Sequence, residues 1–126
     1  MGRKTHVVVV NTIDPEAMRI IRAVSDAIVV TDASALARAE RNGDASRSAE
    51  LDQVLASADV VYALKLPDRF VERAPRMRWL QTISTGVDRI LSPELVDSPV
   101  TVTNMSGIHE VTIAEFVLML MLMFVK

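Results

Sequence analysis

The chain has 126 residues, a formal net charge of −2 and no cysteine. This length fits one domain with its own core. Because Lys and Arg are scattered singly, no nucleic-acid partner is expected, and the lack of cysteine excludes disulfides and cysteine zinc ligands. The apolar run at residues 7–10 is too short for a signal peptide, and the composition is typical of a cytoplasmic protein.

The first half of the chain predicts two strands and one helix. Residues 6–11 form a continuous apolar run, which is typical of a strand covered on both faces. Asp14 and Pro15 then predict the start of a helix, since Asp is a good N-cap and Pro suits the first helical position. Residues 27–32 predict a second strand. Residues 33–48, which contain Asn42-Gly43, predict a surface connection.

The second half continues this alternation. Residues 48–57 predict an amphipathic helix with Leu51 and Leu55 facing inward. A third strand is predicted at residues 59–64, a short helix at 67–74, a fourth strand at 78–83 and a fifth at 100–104. The last helix is predicted from residue 108 onward.

Repeated strand–helix alternation is typical of a parallel sheet with helices on both faces. We therefore predict an α/β fold, a flavodoxin-like doubly wound domain with about five parallel strands. In such sheets ligands bind outside the carboxyl ends of the strands, so the loops at that edge are the candidate sites.

The loop after the fourth predicted strand reads "STGVD", residues 84–88. Gly86, with hydroxyl neighbours, predicts a small anion-binding nest of main-chain N–H groups, because glycine lets a ligand approach closely. A second interpretation stays open, in which Gly86 supplies a left-handed turn and Asp88 caps the next short helix.

The loop after the fifth predicted strand reads "NMSGIHEVTIAE", residues 104–115. Asn104 can hydrogen-bond to nearby main chain, and His109 lies at the start of the last helix. The alternative is that His109 is simply an exposed first-turn residue. The two loops leave neighbouring strands at one edge, so their polar groups are expected to converge on one small anionic ligand.

Residues 74–122, including "RMRWLQTISTGVDRI" and "VTVTNMSGIHEVTIAEFVLMLML", resemble the D-isomer-specific 2-hydroxyacid dehydrogenase family, which includes phosphoglycerate dehydrogenases and glyoxylate/hydroxypyruvate reductases. The likeness of the first seventy residues is generic. This resemblance implies a substrate domain at residues 1–110 and the start of an interdomain crossover helix at residues 111–126. It also implies a separate Rossmann domain that binds NAD or NADP and is absent from this chain.

The resemblance further implies which residues contact the 2-hydroxy or 2-oxo acid. Main-chain amides of Thr85, Gly86 and Val87 would bind its carboxylate, Asn104 would support the cleft, and His109 would reach it in some relatives. The four glycines, at positions 2, 43, 86 and 107, cannot form G-x-G-x-x-G. We therefore expect no catalytic, cofactor-binding or metal-binding residue in this chain, and no activity from it alone.

The final "EFVLMLMLMFVK" is apolar all round, as in a buried helix. Residues 111–125 would extend only about 22 Å as a helix, short of a bilayer core, so no membrane partner is expected. Since a large apolar surface promotes association, we expect a homo-oligomer formed through this helix. The alternative function is a non-catalytic interaction module that places this helix in a partner's groove.

Overall fold

A computed structural model of the protein describes residues 2–125. Five strands form one sheet in the order β2-β1-β3-β4-β5. The four pairings between neighbouring strands are parallel. The strand bounds are β1 Thr5–Val9, β2 Ile28–Asp32, β3 Val60–Ala63, β4 Trp79–Thr82 and β5 Thr101–Thr103. The predicted α/β fold class is confirmed, and this strand order is the flavodoxin-like one.

Helices connect the strands and extend beyond the last one. Within residues 2–125 they are α1 Pro15–Arg22, α2 Ser34–Arg41, α3 Ser48–Ala56, α4 Phe70–Arg73, α5 Pro93–Val96 and α6 Glu110–Val125. Asp14 caps α1 as predicted, since its Oδ2 accepts hydrogen bonds from the main-chain N–H groups of Glu16 at 2.9 Å and Ala17 at 3.2 Å.

The prediction of a surface connection at residues 33–48 is wrong over its first half, which forms α2. This segment consists mostly of strong helix formers, and Leu36 and Ala37 are buried. Asn42-Gly43 marks the end of this helix, where Gly43 has a left-handed φ of 87°. Asn42-Gly43 therefore marks the C-terminus of a helix. The eight residues before it form that helix and contribute to the core.

One face of the sheet is well covered. Val8, Val61 and Leu80 are in register on β1, β3 and β4, so their side chains share a face, and all three are fully buried. They belong to one core cluster with apolar side chains from α2 to α5, namely Leu36, Leu51, Leu55, Phe70 and Leu95. Right-handed crossovers account for this, because they place these connections on one face and α1 on the other.

The face that carries α1 is covered only in part. Val9 and Met18 are buried there, but Trp79 on β4 is 42% exposed. Trp79 Nε1 donates to Thr103 Oγ1 at 2.7 Å, and that hydroxyl donates to Gln81 Oε1 at 2.7 Å. A polar cross-strand chain therefore occupies the part of the sheet that lacks a covering helix.

An ion-pair cluster fastens the covering helices to one another. Arg73 of α4 contacts Glu40 of α2 at 2.7 Å and Asp52 of α3 at 2.5 Å, and its side chain is only 14% exposed. The guanidinium lowers the pKa of Glu40 through this hydrogen bond. The Arg73 side chain therefore links three helices through its ion pairs.

The last helix, α6, differs from all the others because none of its residues is buried. Its sequence is apolar on every side, and Phe116, Leu118 and Phe124 are all exposed. Within residues 2–125, no helix is long and apolar enough to span a bilayer. Lys126, the last residue of the predicted crossover helix, lies outside the described residues.

Asp59, just before β3, joins the amino ends of three strands. Its side chain is 3% exposed and accepts hydrogen bonds from the Arg3 guanidinium and, at 2.9 Å, from the His6 N–H. Its main-chain N–H donates to His6 O at 2.9 Å, and its carbonyl accepts from Arg78 N at 2.9 Å. The Arg3 guanidinium, and then the His6 N–H, lower the pKa of this carboxyl.

We expect this carboxylate to make stability depend on acid pH. Because its folded-state pKa is lowered, its contribution is complete above the ordinary value of about 3.9 and is lost as the pH falls below it. Asp59→Asn should lower the free energy of unfolding at neutral pH by about 2 kcal/mol and flatten its decline in acid. Urea unfolding at several pH values measures both. The exposed Asp26→Asn control should change neither, and an unchanged acid profile for Asp59→Asn would contradict the assignment.

Candidate functional site

The candidate site lies at the carboxyl edge of the sheet, where all five parallel strands end. The loop after β4 is the one that the sequence singled out. Thr82, fully buried at the end of β4, accepts a hydrogen bond from Ser84 N at 3.2 Å. Ser84 O accepts from Met105 N at 3.1 Å, in the loop after β5. Ser84 is therefore held on both sides, and this fixes the start of the loop.

The next three residues present main-chain donors. The N–H groups of Thr85, Gly86 and Val87 donate no hydrogen bond within residues 2–125, whereas Val87 O accepts from Ile90 N at 2.8 Å. Thr85 and Gly86 are exposed and Val87 is half-buried. Three consecutive free donors at a fixed strand end can bind an anion, because each N–H contributes a partial positive charge.

Gly86 does not supply a left-handed turn. Its φ is not positive, whereas Gly107 in the loop after β5 has a φ of 89°. A Cβ built on Gly86 would meet only Asp88 Oδ2, at an ordinary 3.8 Å. Asp88 begins a turn, and the helix that follows is capped by Ser92, whose Oγ accepts from Leu95 N at 3.3 Å. The alternative interpretation of this loop is therefore wrong, and the glycine leaves open space beside the free donors.

Asn104 connects the loops that follow β4 and β5. Its Nδ2 donates to Thr85 O at 2.8 Å, and its Oδ1 accepts from Ser106 N at 3.3 Å. Both the nitrogen and the oxygen of the side-chain amide are thus hydrogen-bonded to main-chain atoms. Asn104 therefore positions the Thr85 peptide.

His109 is exposed and immediately precedes α6. Its carbonyl accepts from Ile113 N at 2.9 Å, and its imidazole makes no hydrogen bond with any residue between 2 and 125. The structure therefore joins Asn104 to Thr85 by a hydrogen bond, with Gly86 and Val87 next in the same loop, and it gives His109 no hydrogen bond to these residues.

A cavity of about 1050 Å³ lies between the loops after β3 and β4. Its lining includes Gly86 and Ser84 from the predicted site, and also Lys65 and Arg89, which the sequence-based prediction missed. Neither of these two cations forms an ion pair within residues 2–125. A third lining cation, Arg69, is paired with Glu72 at 2.7 Å, and this carboxylate raises its pKa.

The lining is of mixed charge, because four carboxylates also contribute to it, namely Asp68, Glu72, Asp88 and Glu94. The cavity as a whole is therefore not electropositive, and the groups there that could favour an anion are the free N–H groups and the two unpaired cations. The signal that could have found Lys65 is the abrupt change from "VVYAL" to "KLPDR" at the end of the third strand. Within the described residues, no group of three or more His, Asp or Glu side chains could hold a metal ion.

Comparisons with known proteins agree with this architecture at the level of the fold. The chain matches no protein-family model, and it matches no curated protein. Its fold is similar to a solved D-isomer specific 2-hydroxyacid dehydrogenase family protein from Aeromonas salmonicida, with a TM-score of 0.66 and 17% sequence identity. The match covers 94% of this chain and 35% of that chain, so this chain spans about a third of that protein's length.

We expect Asn104→Ala to loosen the site without unfolding the domain. It removes two exposed hydrogen bonds, each worth up to about 1 kcal/mol, and frees the Thr85 peptide. Amide hydrogen exchange should speed up at Met105, whose N–H bonds to the same loop, and stay unchanged in β1. Asn42→Ala, at the end of α2, is the matched control and should leave Met105 unaffected. Unaltered exchange at Met105 in Asn104→Ala would refute the positioning role.

Proposed function

We propose that this chain is the substrate-binding domain of an NAD(P)-dependent D-2-hydroxyacid dehydrogenase, an oxidoreductase that interconverts 2-hydroxy and 2-oxo acids. The observation that carries the proposal is the row of free N–H groups at Thr85, Gly86 and Val87, located at the carboxyl edge of a flavodoxin-like sheet. The resemblance of the same segment to the dehydrogenase family, and the similarity of the fold to a solved member, support it.

In this proposal the domain binds and orients the substrate. The three N–H groups donate hydrogen bonds to the substrate carboxylate, and Lys65 and Arg89 add positive charge near it. Asn104 holds the Thr85 peptide so that the donors are directed before the ligand arrives, which avoids a reorganisation cost. We also keep His109 as a substrate-side residue, on the family resemblance alone.

The hydride chemistry requires groups outside this chain. NAD or NADP would accept or donate the hydride at the substrate's C2. The four glycines of the chain provide no dinucleotide-binding turn, so its residues do not fit that cofactor. We propose that a second, Rossmann-type domain binds the cofactor and contributes the acid–base group, and that the substrate lies between the two.

The exposure of helix α6 supports the proposal of a second domain. A helix that is apolar all round is stable in water only when other protein covers it, and here it has no buried residue. The partly covered sheet face near Trp79 is a second surface of this kind. Both surfaces belong to one chain that spans about a third of the similar dehydrogenase.

The carboxylate site can be tested by titrating the domain with small 2-oxo acids, such as glyoxylate and pyruvate, in NMR experiments. We expect saturable shifts at the amides of Thr85, Gly86 and Val87. Gly86→Ala should fold normally, since its Cβ meets no close atom, but should weaken binding about tenfold, because the methyl group occupies the ligand's approach.

Gly2→Ala is the matched control, because a Cβ there meets nothing within 4 Å. It should bind as the parent chain does. An absence of shifts at residues 85–87, or equal affinity in Gly86→Ala and the parent chain, would refute the substrate site.

A second candidate function, a non-catalytic interaction module, is favoured by α6 alone. Its exposed apolar side chains are those expected of a helix that packs in a groove or against a second copy. In this reading the domain would be a homo-oligomer assembled through α6, with no substrate at the sheet edge.

Sedimentation equilibrium tests association through α6. We expect the average mass to rise with concentration, and Phe116→Glu to lower it, because a charge on the apolar helix disfavours burial. Val24→Glu, at an exposed apolar residue outside α6, should leave association unchanged. A monomer at high concentration would exclude the oligomer and leave α6 for a different partner.

A further inference from the structure

A second concave site lies at the amino edge of the sheet, opposite the carboxylate site. Its volume is about 460 Å³, and its lining contains Arg3, Lys4, Asp59, Arg76 and Arg78. Four cations therefore surround one carboxylate, on a chain whose net charge is −2. Nothing in the proposed dehydrogenase function uses these residues.

The strand order explains why this charge is invisible in the sequence. Arg3 and Lys4 precede β1, while Arg76 and Arg78 lie before β4, more than seventy residues away. Because the strands are parallel and β3 alone separates β1 from β4, their amino ends meet at one edge. Basic residues that are far apart in the sequence therefore lie close together in the folded chain.

The chain holds this cluster in place. Met77, which lies between Arg76 and Arg78 in the sequence, is buried, whereas the two arginines are exposed and both line the cavity. Arg78 N donates to the Asp59 carbonyl at 2.9 Å, and Arg78 O accepts from Thr101 N at 2.9 Å. The backbone of Arg78 is therefore fixed on both sides by neighbouring strands.

Asp59 forms an ion pair with only one of the four cations. One carboxylate oxygen accepts from Arg3, and the other is occupied by the His6 N–H. Lys4, Arg76 and Arg78 form no ion pair within residues 2–125. These three cations have no ion-pair partner in that range, although Arg78 lies within electrostatic reach of Asp59. Like charges that line one cavity repel one another, and a bound anion with two or more charges would relieve this repulsion.

We propose that this site binds a phosphate-bearing anion, either free in solution or as a lipid headgroup. Arg76 and Arg78 supply guanidinium forks suited to phosphate oxygens, and Lys4 adds a point charge. Phosphate is favoured over a single carboxylate because it accepts several donors at once and carries more charge.

The site can be tested with inorganic phosphate and pyrophosphate as probes, by calorimetry and by NMR of the amides of Lys4, Arg76 and Arg78. We expect saturable binding that weakens as sodium chloride is added. The double variant Arg76→Gln, Arg78→Gln should bind about tenfold more weakly or worse, because it removes two charge-assisted contacts. Arg38→Gln, exposed on α2 and unpaired within residues 2–125, is the matched control.

A second arm separates the two sources. Sedimentation with phosphatidylcholine vesicles that contain phosphatidic acid identifies a headgroup, whereas binding of soluble pyrophosphate without vesicle binding identifies a free phosphate compound. Either outcome supports the site if the double variant weakens binding about tenfold or more and Arg38→Gln does not. No saturable binding in either arm, or equal weakening by Arg38→Gln, would overturn the proposal. Circular dichroism of each variant verifies that the fold is kept.

Discussion

The parallel pairing of β1, β3 and β4 is the constraint on which the rest of the structure depends. Asp59 stabilises it at the amino edge, where its main chain bonds to both neighbouring strands and its carboxylate accepts from His6 and Arg3. Because all strands run the same way, everything that follows a strand collects at one edge and everything that precedes one collects at the other. The two candidate sites are direct consequences of this, one at the free N–H groups after β4 and the other among the cations before β1 and β4.

The two sides of the sheet have different energetic roles. On the side of α2 to α5, a continuous apolar cluster and the Arg73 ion-pair cluster hold three helices against the strands. Arg73 contributes there mainly because its positive charge compensates that of Glu40. A half-buried carboxylate without its partner would lower the stability of the folded state. On the side of α1, polar groups such as Thr103 and Gln81 replace apolar burial near β4. The domain is therefore stabilised from one side, and the other side retains surface for further contacts.

Strands β1, β2 and β3 are predictable because strands covered by helices are rich in β-branched apolar residues, and such runs are visible without structure. Helix α2 is not predicted from the sequence because Asn42-Gly43 indicates a turn, although the eight residues before it are mostly helix formers. At the site, "STGVD" identified the free N–H groups, whereas the roles of Asn104 and Lys65 depend on which loops lie side by side. The amino-edge cluster could not be predicted at all from spacing, since its members are brought together only by the strand order.

The backbone conformation of Gly86 says more about function than the mere occurrence of a glycine at this position. A glycine with positive φ is explained by the backbone alone, as Gly107 and Gly43 are. Gly86 adopts a conformation open to other residues and has room for a side chain, so neither sterics nor turn geometry demands it. What a side chain there would obstruct is the approach to three unpaired N–H groups. The most direct physical reason for glycine at this position is therefore a ligand that must come close to the main chain, and this favours the substrate-binding interpretation over an interaction module that uses α6 alone.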